Sequence, residues 1–170
     1  MGVVDNALPN LVDAPRIVLD TSALVSDERH WLWLYAQEGY YEAVWSTIIV
    51  AELVRVRMRL ARRQGIEELV QRRRIYNLVH RLSDVLTVAD YRSILLDATL
   101  PDPDDDPILA AALASGAQYV VSLNTKHFPP GATVMHVRFI TPADFLIMLD
   151  ELYPDANLRQ RTDIVGKQLP

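Results

Sequence analysis

Acidic side chains crowd one short stretch of this sequence. Four aspartates lie within five positions there: Asp102, Asp104, Asp105 and Asp106. An apolar run typical of a helix follows them, but a helix start offers only a few free N–H groups, and carboxylates in contact repel one another. Helix capping therefore does not account for all four. We predict that a cation, most simply a divalent metal ion, lies close to them.

Two further acids are placed where they could join this stretch. Asp20 ends a short apolar run typical of a buried parallel strand, and Glu52 lies about a turn and a half into a later helix pattern. Parallel sheets carry their chemistry at the carboxyl ends of the strands. We therefore predict that Asp20, Glu52 and Asp106 converge. Hard oxygen ligands of this kind suit Mg²⁺ or Mn²⁺.

The elements that must position these acids alternate along the chain. Strand patterns cover 16–20, 41–45, 85–88, 118–122 and 133–140, and helix patterns cover 29–38, 47–63, 66–82, 90–99, 107–115 and 142–152. Ser46 or Thr47 is the predicted cap of the second helix, and Asp106 is the predicted cap of the fifth, with Pro107 as its first helical residue. Gly65 and Gly116 are predicted helix ends. This alternation predicts an α/β sandwich with a mainly parallel sheet.

Composition restricts the class of protein further. The chain has 170 residues, half of them hydrophobic, which suits one globular domain with a full core. It has no cysteine, which excludes disulfides and thiolate metal sites. We expect an N-terminal extension over 1–15, the domain over 16–153 and a polar tail over 154–170. No signal or membrane-spanning pattern is evident, so we expect a soluble, unanchored, cytoplasmic protein.

Positive charge is concentrated in residues 55–81, which we call the arginine arm. The arm holds nine arginines and two acids, so its charge is +7, whereas the chain as a whole carries −5. Arginine without lysine suits phosphate recognition, but a solvated helical hairpin whose arginine stems cover apolar surface is an equal alternative. The arm's candidate RNA- or partner-binding residues are Arg55, Arg59, Arg62, Arg63, Arg72 and Arg73.

Four stretches of the sequence resemble, in order, those of PIN-domain ribonucleases, a family that includes the toxins of bacterial toxin–antitoxin pairs. They are Ile17-Val-Leu-Asp-Thr-Ser-Ala23, Ser46-Thr-Ile-Ile-Val-Ala-Glu-Leu53, Asp104-Asp-Asp-Pro-Ile-Leu-Ala-Ala111 and Tyr119-Val-Val-Ser-Leu-Asn-Thr-Lys-His-Phe128. The resemblance covers roughly residues 16–150. It implies a three-layer α/β/α fold and a metal-dependent endoribonuclease that hydrolyses single-stranded RNA with Mg²⁺ or Mn²⁺, and it allows a toxin of a toxin–antitoxin pair.

The resemblance also implies roles for individual residues. Asp20, Glu52 and Asp106 would be the catalytic, metal-binding acids, while Asp104 and Asp105 would deepen the negative potential. The fourth acid of the family's pattern is replaced here by Asn124. An amide can still offer a carbonyl oxygen to a metal or bind a metal's water, but it subtracts a negative charge, so a second ion should bind less readily.

Other side chains near the acids have supporting or structural interpretations. Thr21 and Ser22 are expected to orient Asp20, since no partnered base would make either of them a nucleophile. His127 could contact the scissile phosphate, although a loop histidine is more often structural. Asp20 could instead cap a helix, and Glu52 could pair with Arg55 or Arg59 on its own helix face.

Two alternative functions stay open. A catalytically weak or inactive PIN-like module could bind RNA or protein, with Asn124 marking the lost chemistry. A phosphotransfer domain is the second, but it would want an acid two residues after Asp20, where Ser22 stands. The family resemblance further implies a homodimer and a cognate antitoxin, which the arginine arm could bind in place of RNA.

Overall fold

Strands and helices alternate in the computed structural model, which describes residues 14–83, 86–88 and 102–156. The strands are β1 (Arg16–Leu19), β2 (Glu42–Trp45), β3 (Leu86–Val88), β4 (Tyr119–Val121), β5 (Thr133–Val134) and β6 (Val137–Ile140). The helices are α1 (Thr21–Leu24), α2 (Arg29–Gln37), α3 (Thr47–Arg63), α4 (Glu68–Ser83), α5 (Asp106–Ser115) and α6 (Pro142–Leu152). A 3₁₀ turn over Pro103–Asp105 leads directly into α5.

One sheet contains all six strands, in the order β3-β2-β1-β4-β6-β5. Every neighbouring pair is parallel except β5 and β6, which are antiparallel. The chain moves outward from β1 to β2 and β3 and later returns to β4 on the other side of β1. The strand order therefore reverses between β1 and β4, and open α/β sheets bind ligands at the carboxyl ends of the strands at such a point.

Helices cover both faces of the sheet, which confirms the predicted α/β sandwich. Val18 and Val120 belong to one buried cluster, together with side chains of α3 and α5. Their neighbours Ile17 and Val121 belong to the other, together with side chains of α2 and α6. Successive strand residues point to opposite faces, so the continuously apolar strands fill two cores and give three layers.

Helix ends follow the predicted capping chemistry at several places. Ser46 is the N-cap of α3, where its Oγ accepts a hydrogen bond from the backbone N–H of Ile49. Gly116 ends α5 with φ of 68°, a left-handed conformation that glycine adopts without steric cost. Gly65, with φ of 67°, separates α3 from α4 and so forms the arginine arm's hairpin.

Three local predictions were wrong. The single strand predicted over 133–140 is the hairpin of β5 and β6, because the chain turns at Met135, which has φ of 55°. Asp106 is the first helical residue of α5, and Asp105 occupies the N-cap position, because the 3₁₀ turn brings the chain into helical geometry earlier. The predicted turn after β1 contains the short helix α1.

The predicted helix over 90–99 lies outside the described residues, as does the start of the third strand at position 85. Among the residues that the structure describes, no helix combines the length and apolar character needed to cross a membrane.

Candidate metal centre

Asp20 lies at the reversal point of the sheet, directly after β1. Its side chain is 6% exposed and makes no capping hydrogen bond to α1, although the residue occupies the N-cap position. Its Oδ2 instead accepts hydrogen bonds from Ser22 Oγ at 2.6 Å and from Ser122 Oγ at 2.7 Å. Within the described ranges, Oδ1 has no hydrogen-bond partner. The carboxylate is thus oriented on one side by hydroxyls and left open on the other.

The parallel register explains why Ser122 reaches Asp20. Leu19 of β1 pairs with Val121 of β4, and the next residues along the two strands are Asp20 and Ser122. The backbone N–H of Asp20 also donates to the Val121 carbonyl at 3.0 Å. Ser122 Oγ accepts from the Asn124 N–H at 2.9 Å, so one buried hydroxyl connects the ends of both strands.

Glu52 approaches the centre from α3, on the face toward α1. Thr21 Oγ1 donates to Glu52 Oε2 at 2.9 Å, which couples the residue after Asp20 to this second acid. The other carboxylate oxygen, Oε1, lies 3.5 Å from the Arg55 guanidinium, with about two thirds of the arginine side chain exposed. Glu52 therefore contacts both the residue after Asp20 and, in a long surface ion pair of small energetic weight, Arg55.

His127 connects the loop after β4 to the acidic stretch before α5. Its Nδ1 lies 2.7 Å from Asp105 Oδ2, 3.0 Å from Asn124 Nδ2 and 3.4 Å from Asp102 Oδ2. A nitrogen that donates to Asp105 cannot also accept from an amide NH₂. A half-turn of the Asn124 amide would present its carbonyl oxygen to that N–H instead.

Three of these groups form a cluster with the dimensions of a metal site. Asp102, Asp105 and His127 each offer one ligand atom, and the three atoms lie within 4.8 Å of one another. All three residues are half-buried. Two carboxylates and an imidazole suit a divalent ion of the first transition series, and the carboxylates alone suit Mg²⁺.

The pKa of Asp105 reflects the negative charges of two other aspartates. Burial raises the pKa of the Asp105 carboxyl, and the negative charges of Asp102 and Asp20 raise it further, against the lowering effect of His127. Asp20 and Asp105 therefore feel each other's charge, although 85 positions separate them in the sequence. A bound cation would relieve this repulsion.

The remaining predicted site residues take different positions. Asp106 begins α5 and is half-buried, whereas Asp104 is exposed, with its backbone N–H donating to Asp102 Oδ1 at 3.0 Å. Ser22 orients Asp20 directly, but Thr21 contacts Glu52. Every candidate arginine of the arm is exposed: Arg55, Arg59, Arg62, Arg63, Arg72 and Arg73. Arg72 pairs with Glu68 of its own helix at 2.6 Å.

Sequence reasoning missed one participant in this network. Ser122, 3% exposed, was visible only as the first residue of Ser122-Leu-Asn124. The signal for Ser122 is its place after an apolar strand that pairs in parallel with β1. That pairing is a property of the sheet order, so the sequence pattern alone does not supply it.

Comparison with known families agrees with this geometry. The model of the PIN domain matches residues 16–126, well over half of the chain, and the match includes Asp20, Glu52, the acidic stretch and Asn124. No curated protein matches the chain. PIN domains are generally nucleases and typically use divalent metals. The strand order, the converging carboxylates and the matched range lead to the same conclusion: the chain belongs to the PIN-domain family.

Proposed function

We propose that this protein is a metal-dependent endoribonuclease that hydrolyses phosphodiester bonds of single-stranded RNA with Mg²⁺ or Mn²⁺. The observation that supports the proposal best is the state of Asp20. A carboxylate that is almost fully buried, held by two hydroxyls on one oxygen and open on the other, requires a compensating positive charge. Among the described residues, no arginine, lysine or histidine forms an ion pair with Asp20.

The donor set at this place fits a hard divalent ion. We assign Asp20 and Asp106 as ligands, with Glu52 acting directly or through water, and Asp105 as the neighbour whose charge crowds Asp20. Asp104, exposed on the 3₁₀ turn, would add to the negative potential without being a ligand. When bound, the ion supplies Lewis-acid stabilisation of phosphoryl charge and makes water more acidic at neutral pH.

Residues of the chain itself would orient the reacting groups. Ser22 and Ser122 fix the Asp20 carboxylate, and Thr21 fixes Glu52, so both acids are held before substrate arrives. Preorganised groups of this kind contribute to catalysis because they need no rearrangement in the transition state. In-line attack by water would leave a 5′-phosphate and a 3′-hydroxyl, and the exposed arm arginines would attract the RNA backbone.

The same family membership supports a biological role as the toxin of a toxin–antitoxin pair, acting as a homodimer that an antitoxin silences. The acidic centre, by which we mean Asp20, Glu52 and the aspartates at the start of α5, would then accept a basic antitoxin side chain in place of a metal. Co-expression with the neighbouring gene's product, followed by a cleavage assay on the purified complex, tests this role. A complex that cleaves RNA as fast as the isolated chain would contradict it.

One observation favours a second candidate function. Asn124 supplies an amide where the family's pattern has a carboxylate, and that amide contacts His127. A PIN domain with a weakened metal centre could bind RNA or protein without cleaving RNA. This alternative retains the arginine arm and removes the catalytic role of the acids.

The decisive experiment compares wild-type protein with Asp20→Asn on a labelled single-stranded RNA, in Mn²⁺, in Mg²⁺ and in EDTA. We expect cleavage by the wild type with either metal, none in EDTA, and a loss of at least about 100-fold in the variant. Asparagine preserves the shape and can still accept a hydrogen bond from Ser122, so the variant should fold.

Asp155→Asn is the matched control, because it removes one exposed carboxylate outside the acidic centre. It should cleave RNA like the wild type. Equal activity of the wild type and Asp20→Asn would refute the assignment of the centre. Binding of RNA without cleavage by the wild type, together with no stabilisation by Mn²⁺, would favour the inactive binding module.

A further inference from the structure

A groove separate from the acidic centre lies between the connection of α1 to α2 and the hairpin of α3 and α4. Its volume is about 710 Å³. Three arginines from three different helices line it: Arg29 of α2, Arg57 of α3 and Arg74 of α4. His30 lines it as well, and Asp27 is the one carboxylate among its lining residues. We call this cavity the arginine groove.

The charges in the arginine groove are crowded. Arg57 lies on the inner side of α3 and is half-buried, unlike its neighbours Arg55 and Arg59, which are exposed. Burial lowers the pKa of the Arg57 guanidinium, and the positive charge of Arg29 lowers it further. The partly buried guanidinium of Arg57 therefore also feels the positive charge of the exposed Arg29, an arrangement that costs free energy unless an anion is present.

The arginines of the groove lack the carboxylate partners that some other arginines have. Arg16, Arg55 and Arg72 each form an ion pair with a glutamate. In the parts of the chain that are described, no carboxylate oxygen lies within 4.0 Å of a guanidinium nitrogen of Arg29, Arg57 or Arg74. Arg29 is instead fixed by donating to the Ser26 carbonyl at 2.6 Å, which leaves most of its fork available.

A second, independent feature of the groove is a buried donor without a partner. Trp33 lines the groove and is 8% exposed. Its indole Nε1–H is buried and forms no hydrogen bond with any described residue. A buried donor left unpaired loses its hydration without compensation. A ligand with acceptor oxygens would supply partners for this N–H and for the guanidinium groups together.

The arginine groove lies close to the acidic centre along two helices. Thr21 begins α1, and Leu24, one turn further, lines the groove. Glu52 and Arg57 are five positions apart on α3, a rise of about 7.5 Å along the helix axis. A strand whose scissile phosphate lay at the acids would therefore bring neighbouring phosphates to the groove.

We propose that the arginine groove binds the phosphate backbone of the RNA strand beside the cleaved bond. Guanidinium forks match phosphate oxygens in pairs, and all three cations of the groove are arginine. The apolar lining residues Trp33, Leu60 and Ile66 offer surface for ribose or base. This inference rests on the proposed nuclease function, but it concerns Arg29, Arg57 and Arg74 rather than the outward arginines of the arm.

The test measures RNA affinity in EDTA, so that cleavage plays no part. Fluorescence anisotropy of a labelled single-stranded RNA is followed over a range of salt concentrations for the wild type, Arg57→Met, Arg74→Met and Arg57→Lys. Each methionine variant should bind roughly tenfold more weakly, and its salt dependence should fall by about one counterion. Arg57→Lys should recover the salt dependence but only part of the affinity, because it keeps the charge and loses the fork.

Arg138→Met is the matched control, since Arg138 is exposed on β6 outside the groove and the variant has the same charge change. It should bind RNA like the wild type. Inorganic phosphate should raise the melting temperature of the wild type more than that of Arg57→Met, which also checks that the variant folds. Groove variants with wild-type RNA affinity would overturn the inference.

An acidic protein segment is the competing occupant. Retained RNA binding by the groove variants, with lost binding of a labelled poly-glutamate peptide, would overturn the RNA assignment. The outcomes also separate this inference from the proposed function. If the wild type cleaves RNA and the groove variants bind RNA with wild-type affinity, the nuclease proposal holds and RNA binding by the groove is refuted. If the groove variants bind RNA more weakly but the wild type cleaves no RNA, RNA binding by the groove holds and the nuclease proposal is refuted.

Discussion

The acidic centre and the arginine groove crowd charges of opposite sign on either side of α1, and they hold those charges in different ways. Asp20 and Glu52 are fixed by hydroxyls of Ser22, Ser122 and Thr21. Arg57, by contrast, has only the repulsion of Arg29 and partial burial acting on its charge. The difference indicates that the acids are positioned before any ligand binds, whereas the groove is completed by its ligand.

The two regions hardly neutralise each other. Within the described part of the chain, the ion pair of Glu52 with Arg55 at 3.5 Å is the one that joins an acid of the centre to an arginine of the arm. Each region therefore keeps its own charge for a ligand. A divalent ion for one and a phosphate backbone for the other are the two components that metal-assisted cleavage of RNA brings together.

The largest effect is expected when a hydroxyl that orients the acids is removed. We predict that Ser122→Ala lowers the rate of RNA cleavage roughly 10–100-fold, as expected when a group that orients a metal ligand is lost. Single-turnover cleavage in Mn²⁺ measures the effect. Ser115→Ala is the control, because its hydroxyl contacts only carbonyls of its own helix. Equal rates for the two variants would show that Ser122 has no orienting role.

Restoring a carboxylate at position 124 should strengthen metal binding by the acidic centre. Asn124→Asp adds a negative charge beside His127 and Asp105, so we predict a roughly tenfold gain in Mn²⁺ affinity, because ligand charge tunes the affinity of such sites. Calorimetric titration with Mn²⁺ measures it. Asn77→Asp adds the same charge on an exposed position of α4 and should leave the affinity unchanged. Weaker Mn²⁺ binding by Asn124→Asp would place the ion elsewhere.

Removing a crowded acid should stabilise the metal-free protein. The pKa of Asp105 is raised chiefly by burial, so the folded state binds a proton more readily than the unfolded state. Below the pKa that Asp105 has in the unfolded state, its carboxyl is protonated in both states and does not destabilise the fold. As pH rises through the higher pKa of the folded state, the buried carboxyl ionises and the free energy of unfolding falls. We predict that Asp105→Asn raises the melting temperature by about 2 °C at pH 7 in EDTA, with the gain vanishing in acid.

Thermal unfolding of Asp105→Asn and of the exposed control Asp155→Asn over a series of pH values checks this prediction. The control should show little change at any pH. A gain for Asp105→Asn that persists in acid would contradict the charge explanation and indicate a packing effect. Added Mn²⁺ should reverse the order of stability, because the variant loses a carboxylate that favours the ion.

The smallest effect is expected in the arginine groove, where removing one charge should change the melting temperature only slightly. Arg57→Met removes a guanidinium that is half-buried and repelled by Arg29, so the melting temperature in buffer without phosphate or sulfate should rise by about 2 °C or less. Arg59→Met, two positions away and exposed, should change it little. Differential scanning calorimetry of both variants measures the difference. A lower melting temperature for Arg57→Met would mean that its stem stabilises the core more than its charge destabilises it.

Local patterns in the sequence were sufficient for much of the fold. The apolar runs of β1 and β4, the cap at Ser46 and the left-handed glycine at 116 are all local properties, and each was predicted correctly to within a residue or two. The hairpin at Met135 was missed because a non-glycine residue with positive φ carries no strong local signal. The start of α5 shifted by one residue because the 3₁₀ turn belongs to the loop's closure.

Some features of the candidate site could likewise be predicted from the sequence, and others could not. Residue types together with the family resemblance led to the prediction that Asp20, Glu52 and the acidic stretch hold a hard cation, whereas residue types alone left capping open for Asp20 and ion pairing open for Glu52. The contact of Ser122 with Asp20 depends on β4 lying beside β1, and the juxtaposition of Arg29 with Arg57 depends on how α2 packs beside α3. Local sequence patterns are enough to define the charges that the protein carries and the elements that hold them. Which charges meet depends on the tertiary structure, because contacts between distant residues follow from sheet order and helix packing, which local patterns do not encode.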